Sequence, residues 1–220
     1  MDSDIHNSIL AFDPEAVIID AGTLPSNPRA LRWLEESRHT VCCDGAVNSF
    51  EKTGYRIWRI VGDCDSIDPS LADKYASILR PNPDQETNDQ TKAIHYLKGR
   101  LDVKRVVILG ATGKREDHTL GNISLLPTYL DEGIEARIYT DYGVFIPVRD
   151  TYTFHCPRGT QVSVFNFGAT GISSEGLRYP LRDFNQLWQG TLNESTAPSF
   201  TIHARGPYLV YLTYERKEPR

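Results

Sequence analysis

The sequence predicts an α/β domain with a mostly parallel sheet over residues 1–135, followed by an all-β sandwich domain over residues 136–220. In the first part, short apolar segments alternate with longer segments of helical period, which is the pattern of βαβ units. In the second part the helical period disappears, and short aromatic segments are separated by Gly and Pro, as in β-sandwiches. The change in pattern places the boundary near residues 133–142.

Four apolar segments of the first part are predicted to be strands. Each is rich in β-branched or aromatic residues and runs into Gly or Asp, as expected of strands in a sheet that is covered on both faces. They are AVIIDAG (16–22), TVCCDGA (40–46), IWRIVGD (57–63) and RVVILGA (105–111). In open α/β folds, ligands bind at the carboxyl ends of such strands, so the polar residues there are candidates for a functional site.

Helical segments are predicted between these strands, near residues 27–37, 46–53, 69–78, 84–99 and 116–131. The fourth has a clear start signal, because Asn82 suits an N-cap and Pro83 suits the first helical position. On a helix, Gln85, Asp89 and Lys92 share one narrow stripe beside an apolar face. Such a stripe is equally typical of a helix that lines a cleft and of a solvated surface, so the period alone does not decide.

The second part is predicted to form a sandwich or a flattened barrel. Its segments alternate partly between apolar and polar residues, which indicates strands with one buried face. They are ARIYTDYGVFIPV, TYTFHCP, TQVSVFNF, GISSEGLRYPL and PSFTIHARGPYLVYLTYE.

The composition is that of a globular protein with a sizeable core: 220 residues, of which 40% are hydrophobic and 24% charged. The net charge of −5 argues against a nucleic-acid partner, because nucleic-acid binders carry a basic surface. A small phosphate ligand is still allowed, since a local group of Lys, Arg and backbone N–H groups is enough to bind it.

The features of the N-terminal segment and the pattern of cysteines predict a cytoplasmic protein. The N-terminal segment MDSDIHNSILAFDPEA is acidic and lacks the basic start and the apolar run of a signal peptide. No apolar run approaches the ~20 residues that cross a bilayer, so no membrane association is expected. Cys42, Cys43, Cys64 and Cys156 show no metal-ligand spacing and are expected to be reduced, structural thiols.

Asp63 and Asp65 follow the third apolar segment at positions i and i+2. In extended chain such residues point to the same side, and two carboxylates repel each other unless a cation or a proton lies between them. Hard oxygen ligands of this kind suit Mg²⁺. The same residues are equally typical of a polar strand-to-helix turn that is capped by Ser66 or Asp68, and the motif alone leaves both interpretations open.

Two further polar segments end strands in the same way. Asp44 ends the second apolar segment before a Gly that permits close approach of a ligand, although a simple turn is more typical of this segment alone. GATGKREDH (110–118) joins a strand to a helix, so backbone N–H groups and Arg115 could meet phosphate oxygens there. It lacks Walker A spacing. His118 is expected to bond Asn122 one helical turn along rather than to bind a metal.

In their order and spacing, the segments DGAVN, GDCDS, QETNDQTK and GATGKREDHTLGN resemble the thiamin pyrophosphokinase family. The resemblance spans most of residues 16–130 and continues more weakly through GLRYPL and LNEST. It implies an α/β catalytic domain that binds ATP and Mg²⁺, a β-sandwich domain that helps to bind thiamin, and a homodimer with shared active sites. It also implies a reaction in which the thiamin hydroxyl attacks the β-phosphorus of ATP and expels AMP.

The functional residues of that family are carried over position by position. Its Mg²⁺-binding aspartates fall on Asp63, Asp65 and Asp89. Its positions for binding the nucleotide fall on Gln85, Asn88, Lys92, Arg115, His118 and Asn122. The acceptor of the hydroxyl proton is expected among Asp44, Asp65 and Asp117. Its thiamin-contacting positions fall on Tyr179, Ser195 and Thr196, and an aromatic ring such as Tyr179 suits the cationic thiazolium.

Two departures from the family pattern leave individual contacts open. The helix motif, which is usually close to QDxTD, here reads QETND over residues 85–89, so that an amide replaces a hydroxyl at Asn88. Thr196 stands where the family has Asn, which leaves the contact on the pyrimidine side open.

Two other functions are weighed against this one. A Mg²⁺-dependent kinase or phosphohydrolase for another small alcohol or nucleotide would keep the aspartate cluster but would need no aromatic wall in the second domain. A non-catalytic nucleotide sensor would need no complete set of metal carboxylates, whereas all three are present, at Asp63, Asp65 and Asp89.

Overall fold

The computed structural model describes residues 11–216. These residues form two compact units. Among them, an α/β unit comprises residues 14–125 and 132–141, and a β-rich unit comprises residues 11–13, 126–131 and 142–216. Residues 1–10, on which the expectation about a signal peptide mainly rests, lie outside the described residues.

The α/β unit contains a parallel sheet. Its described strands are β1 Ala16–Ile19, β2 Thr40–Cys43, β3 Arg59–Gly62, β4 Leu79–Pro81, β5 Arg105–Leu109 and β6 Glu135–Tyr139. Within the unit the order is β6-β5-β1-β2-β3-β4, and each of these pairings is parallel. The four predicted apolar segments supply β1, β2, β3 and β5. The predicted parallel sheet is thus confirmed, and β4 escaped prediction because LRP is too short to carry an apolar run.

Helices connect and cover the strands. The described ones are α1 Pro28–Glu36, α2 Val47–Phe50, α3 Pro69–Lys74, α4 Asp89–Leu101, α5 Glu116–Ser124 and α6 Leu126–Asp131. Helix α4 packs against β1, β2 and β3. It does so through Ala93, Ile94 and Leu97, which are completely buried. These three residues are the apolar face that the helical period predicts.

The start of α4 differs from the prediction. Asn82 and Pro83 precede a turn, in which the backbone N–H of Glu86 donates to Asp84 Oδ1 at 3.0 Å. The helix begins only at Asp89, because the side chain of Asn88 accepts the N–H of Thr91 at 2.9 Å and is the actual N-cap.

The predicted helix over residues 116–131 is divided in the structure. α5 ends at Ser124 and α6 begins at Leu126. Pro127 has no backbone N–H to donate to the carbonyl of Ile123, so one continuous helix would lose a hydrogen bond and meet the proline ring.

The β-rich unit contains two antiparallel sheets in the described residues. Its strands are β7 Gly143–Arg149, β8 Tyr152–His155, β9 Thr160–Asn166, β10 Thr170–Glu175, β11 Asn193–Glu194, β12 Ser199–Arg205 and β13 Pro207–Arg216. One sheet has the order β11-β9-β13-β7 and the other β10-β12-β8. Burial alternates along β9 and β12, so each has one face in the core. This confirms the predicted β-rich second part.

The last passage of the chain from the α/β unit to the β-rich unit follows residue 141, within the predicted boundary region 133–142. The segment placed at the start of the β domain by its aromatic character is β6, which pairs in parallel with β5. Conversely, α6 belongs to the β-rich unit. The aromatic composition of this segment predicts a strand but does not show which strand it pairs with, because the two partners are far apart in the sequence.

Two further expectations concern the chain as a whole. Among the residues that the structure describes, no helix is both long and apolar enough to cross a bilayer. The four cysteines are free thiols, and Cys42, Cys43 and Cys156 are buried.

Candidate active site

Three carboxylates meet at the carboxyl edge of the parallel sheet. Asp44 directly follows β2 and Asp63 directly follows β3, and these strands are neighbours. Each of Asp44, Asp63 and Asp65 offers one oxygen atom within 4.8 Å of the others. The predicted proximity of these segments therefore holds, and the group, here called the carboxylate trio, consists of hard oxygen donors of the kind that Mg²⁺ prefers.

Asp44 is the buried member of the trio. Only 4% of its surface is exposed, and its Oδ1 has no hydrogen-bond partner. Its backbone has φ 38°, in the left-handed region. A buried, unpaired carboxylate oxygen is costly, and a cation would compensate for it. The donor chemistry and this orphaned oxygen both fit a divalent metal ion.

Asp63 is held by groups that favour its charged form. The backbone N–H of Asp65 and the side chain of Gln85 each approach its carboxylate to 3.4 Å. The bond from the backbone N–H of Asp65 lowers the pKa of Asp63 most, and Gln85 and Lys92 lower it further. Desolvation has an opposite effect, smaller than that of the Asp65 bond. Asp63 is therefore ionised at neutral pH, and Gln85 lies at the site as predicted.

Asp89 lies close to the trio but is engaged by a cation. Lys92, one turn along α4, places its Nζ 3.0 Å from Asp89 Oδ1 and 3.9 Å from Asp63 Oδ2. Burial raises the pKa of Asp89, as do the charges of Asp44 and Asp63, whereas Lys92 lowers it. Burial lowers the pKa of Lys92, but its bond to Asp89 raises it, with a net increase. A buried ammonium thus stands among several carboxylates.

Asn88 and Asn122 connect α4 with α5. Asn88 Nδ2 donates to Asn122 Oδ1 at 3.0 Å, while its own Oδ1 caps α4. Asn122 Nδ2 donates to the carbonyl of Ala111 at 3.2 Å. The amide of Asn88 therefore makes a link that a hydroxyl could not make in full. The Asn122 side chain thus bonds Asn88 and Ala111, and the expected bond between His118 and Asn122 stays a prediction.

The glycine-rich segment forms a second part of the site. A cavity of about 210 Å³ is bordered by the loop after β1 and by the start of α5, including Gly22, Thr112, Lys114, Arg115, His118 and Asn122. A Cβ on Gly22 would lie 2.3 Å from the carbonyl oxygen of Gly110, so only glycine allows the two loops to approach this closely. Lys114 Nζ donates to the carbonyl of Ala21 at 2.6 Å.

Arg115 and Asp117 pair with each other. Arg115 donates through Nη2 at 2.6 Å and through Nε at 3.1 Å. These bonds, together with the backbone N–H of His118, lower the pKa of Asp117 to about 2. Both side chains are largely exposed, so the pair is weak and can open for a ligand.

The residues expected to contact thiamin lie in the β-rich unit and are placed differently from one another. Tyr179 is 60% exposed and lines a cavity of about 320 Å³. Ser195 is completely buried; its Oγ donates to the carbonyl of Pro157 at 2.8 Å and accepts the N–H of Thr160 at 3.2 Å. Its hydroxyl thus has a structural role, and a contact with substrate stays a prediction. Thr196 is exposed.

Two groups that sequence reasoning missed lie at or near these sites. Trp188 lines the same cavity as Tyr179. It lies in a polar loop, where no helical or strand period indicates which side chains face a cavity. Asp20, at the end of β1, is buried, and neither of its carboxylate oxygens has a conventional hydrogen-bond partner. Burial raises its pKa to about 7, and the charge of Asp89 adds to this effect, while the neighbouring thiol of Cys43 opposes it.

Comparison with protein families gives two matches that are consecutive along the chain. Residues 30–138 match the family model described as "Thiamin pyrophosphokinase, catalytic domain". Residues 143–211 match the family model described as "Thiamin pyrophosphokinase, substrate-binding domain". The first match contains the carboxylate trio, and the second contains the cavity of Tyr179.

Individual proteins are similar along much of the chain. "Thiamine pyrophosphokinase 1" of Oryza sativa subsp. japonica is 26% identical over 195 residues, which cover 75% of this chain and 73% of the relative. "Thiamin pyrophosphokinase 1" of Caenorhabditis elegans is 29% identical over 111 residues, covering 47% and 45%.

Solved structures share the fold. Thiamin pyrophosphokinase from Candida albicans superposes with a TM-score of 0.77 at 16% identity, covering 94% of this chain and 92% of that one. Thiamine pyrophosphokinase from Bacillus subtilis gives a TM-score of 0.72 at 20% identity, covering 90% and 98%.

Proposed function

Because the chain belongs to the thiamin pyrophosphokinase family, we propose that it transfers the pyrophosphoryl group of ATP to the hydroxyl of thiamin and releases AMP. The observation that carries the proposal is the joint match of catalytic and substrate-binding family models, with the carboxylate trio inside the first. A kinase or phosphohydrolase for another substrate, or a nucleotide sensor, gains no support from the match over residues 143–211.

The metal ion of this reaction would be Mg²⁺, held by Asp63 and Asp65. The orphaned Oδ1 of Asp44 supports Asp44 as a third oxygen donor. Asp89, a ligand by resemblance, lies close enough for its pKa to be raised by the charges of Asp44 and Asp63, and stays a candidate. When bound, the ion would neutralise phosphate charge and orient the transferred group.

ATP would lie over the glycine-rich segment. The cavity at Gly22 and Thr112 offers small residues and backbone groups next to the N-terminus of α5, where a phosphate is favoured. Arg115 would leave Asp117 to bind phosphate oxygens bidentately. Lys92 supplies a second positive charge, already fixed by burial and by its bond to Asp89. Gln85, Asn88, His118 and Asn122 complete the proposed nucleotide contacts.

The proton of the thiamin hydroxyl needs an acceptor. A general base works best when its pKa is near the working pH. Arg115 lowers the pKa of Asp117 to about 2 while the two are paired, but this effect would be lost once Arg115 binds phosphate. Asp44, Asp65 and Asp117 therefore all stay candidates for the base, and Asp44 is the buried one.

The thiamin rings would bind in the β-rich unit, with Tyr179 as an aromatic wall. By resemblance, two subunits would form a homodimer in which the α/β unit of one and the β-rich unit of its partner supply each active site. The four free thiols, three of them buried, support a reducing compartment such as the cytoplasm.

The test is product analysis with purified protein, ATP, Mg²⁺ and thiamin, omitting one component at a time. Thiamin diphosphate and AMP should form in equal amounts, and only in the complete mixture. Stoichiometric ADP would instead reveal a monophosphoryl transfer and would contradict the proposed reaction.

A further inference from the structure

The cavity of the β-rich unit has three aromatic residues in its lining: Tyr179, Phe184 and Trp188. Its volume of about 320 Å³ lies at the lower end of the range for small-molecule pockets, roughly 300–1,000 Å³. Its polar lining includes Gln189, Thr191 and Asn193. A cavity that combines flat apolar surfaces with a few polar groups suits a compact, planar ligand.

Trp188 is exposed although its backbone is fixed. The indole has 72% of its surface exposed. It stands on the turn Leu187–Gly190, where the side chain of Gln189 accepts the backbone N–H of Gln186 at 3.0 Å. Thr191 Oγ1 donates to the carbonyl of Trp188 at 2.7 Å. The turn thus presents a large ring to the cavity from a backbone that hydrogen bonds hold in place.

The other side of this turn is fixed by packing. A Cβ on Gly190 would lie 2.2 Å from the carbonyl oxygen of Val164 and 2.7 Å from the ring of Phe184. Glycine is therefore required where the turn meets β9. Rigid attachment of an exposed aromatic side chain is typical of a preorganised binding surface.

The backbone of Tyr179, like that of Trp188, is held by hydrogen bonds. The side chain of Asn193, itself 4% exposed, donates to the carbonyl of Tyr179 at 2.7 Å and accepts its N–H at 3.1 Å. Leu192, next to this clamp, has φ 62° and is 82% exposed. A leucine in the left-handed region is strained, and such strain concentrates at binding sites.

We infer that Trp188 is a second aromatic surface of the thiamin site and determines its preference for a cationic ring; this inference rests on the proposed function. An indole is the best aromatic partner for a cation. Arg182 also lines the cavity and its charge opposes a cation, but its exposure allows solvent to screen it. The cavity lies within residues 143–211, which match the model described as "Thiamin pyrophosphokinase, substrate-binding domain", and this match supports thiamin as the occupant.

The experiment compares Trp188→Ala and Trp188→Phe with the unchanged protein. Thiamin binding is measured without ATP by calorimetry, and Michaelis constants are measured for both substrates. Trp188→Ala should weaken thiamin binding roughly tenfold, the effect expected for loss of a cation–aromatic contact, and should leave the Michaelis constant for ATP unchanged. Trp188→Phe should lie between. Tyr142→Ala, which removes a 78% exposed ring outside this cavity, is the matched control.

Two further measurements separate a binding role from a structural one. Thiamin should quench tryptophan fluorescence, and Trp188→Phe should abolish the quenching, because neither Trp33 nor Trp58 lines this cavity. A neutral thiamin isostere, with carbon in place of the charged ring nitrogen, should bind less well than thiamin, and Trp188→Ala should shrink this difference.

Unchanged thiamin affinity in Trp188→Ala, in a protein that still makes thiamin diphosphate, would overturn the inference and leave the proposed function standing. A native protein that neither binds thiamin nor turns it over would refute the proposed function itself. If Trp188→Ala unfolds, Trp188→Phe decides, and retained quenching there would overturn the inference.

Discussion

The Cα of Gly62 lies so close to Asp44 that a Cβ on Gly62 would be 2.6 Å from the Cβ of Asp44. Real Cβ atoms do not approach this closely, so the last residue of β3 must lack a side chain for Asp44 to occupy its place in the carboxylate trio. The absence of a side chain at Gly62 thus controls the geometry of a carboxylate that follows the neighbouring strand, β2.

Gly62→Ala should therefore displace Asp44 without removing any carboxylate. We expect a loss of turnover of about tenfold or more and weaker Mg²⁺ binding, as found when groups that position metal ligands are disturbed. Gly99→Ala is the control, since Gly99 lies in α4 with open space around it and alanine there should stabilise the helix by roughly 0.5–1 kcal/mol. Equal activity of the two variants would show that Asp44 tolerates displacement.

Asp44→Asn, Asp63→Asn, Asp65→Asn and Asp89→Asn should each remove most turnover while the protein stays folded. Each change removes a charge that is proposed to bind or adjoin the metal ion, and repulsion among the carboxylates falls at the same time. Mg²⁺ titration of activity and thermal melting of the metal-free proteins measure the two effects. Asp73→Asn, on the exposed side of α3, controls for the loss of one charge. Normal Mg²⁺ dependence in a variant would exclude that residue from the site.

Asp20 should make the metal-free protein less stable as the pH rises. Its pKa is raised from an ordinary value of 3.8 to about 7 in the folded protein, so the folded state binds the proton more tightly than the unfolded chain does. The contribution of Asp20 is thus most favourable below about pH 4 and declines until about pH 7, by up to the order of 4 kcal/mol. Asp20→Asn should abolish this decline and melt at a higher temperature than the native protein at pH 8.

Melting curves between pH 5 and pH 8, in the presence of a chelator, test this expectation for Asp20. The chelator matters because a bound cation would itself favour the charged carboxylate. Parallel pH profiles for the native protein and Asp20→Asn would mean that Asp20 does not titrate in this range. Asp73→Asn again serves as the exposed control.

Tyr179→Ala should raise the Michaelis constant for thiamin about tenfold and change that for ATP little, because stacking on a cation contributes on the order of 1–2 kcal/mol. Tyr179→Phe should be mild, since the ring remains. Steady-state kinetics with each substrate varied in turn give both constants. A similar increase for the two substrates would point to a folding defect instead of a thiamin contact.

Mixing two inactive proteins tests the proposed sharing of active sites between subunits. One carries Asp89→Asn and the other Tyr179→Arg, whose positive charge would repel the cationic thiamin, and activity is measured at a thiamin concentration at which neither protein turns over alone; Ser195 is avoided because its hydroxyl makes buried structural bonds. Random exchange makes about half of the dimers mixed, and each mixed dimer of the shared type has one intact site, so about a quarter of native activity should return. No recovery after verified subunit exchange would mean that each site is built within one chain.

The position of the carboxylate trio at one edge of the parallel sheet follows largely from local sequence. TVCC and RIVG are apolar runs, so they form buried strands, and parallel strands end at one edge of a sheet. The residues that follow them, Asp44 and Asp63, must then lie near each other. The break at Pro127 could also have been inferred from the sequence, since proline cannot donate the helical hydrogen bond.

Other features depended on competition between local signals. Asn82, Asp84 and Asn88 are all suited to cap a helix, and the sequence favoured Asn82 because Pro83 follows it. Asn88 is the cap in the structure, and its side chain also bonds Asn122, 34 residues away along the chain. Local preference ranks such candidates, whereas a contact with another helix selects among them.

The sequence by itself determined the parallel sheet, the β-rich second part and the carboxylates at the strand ends, because apolar period and turn chemistry act over a few residues. Only the tertiary structure decided which polar groups are satisfied. It placed the hydroxyl of Ser195 against Pro157, buried Lys92 between two carboxylates, left Asp20 without a conventional partner, and set Trp188 beside Tyr179. The pattern of apolar residues indicates which face of a helix or strand is buried. A side-chain hydrogen bond or a cavity depends on chain segments that meet only after folding.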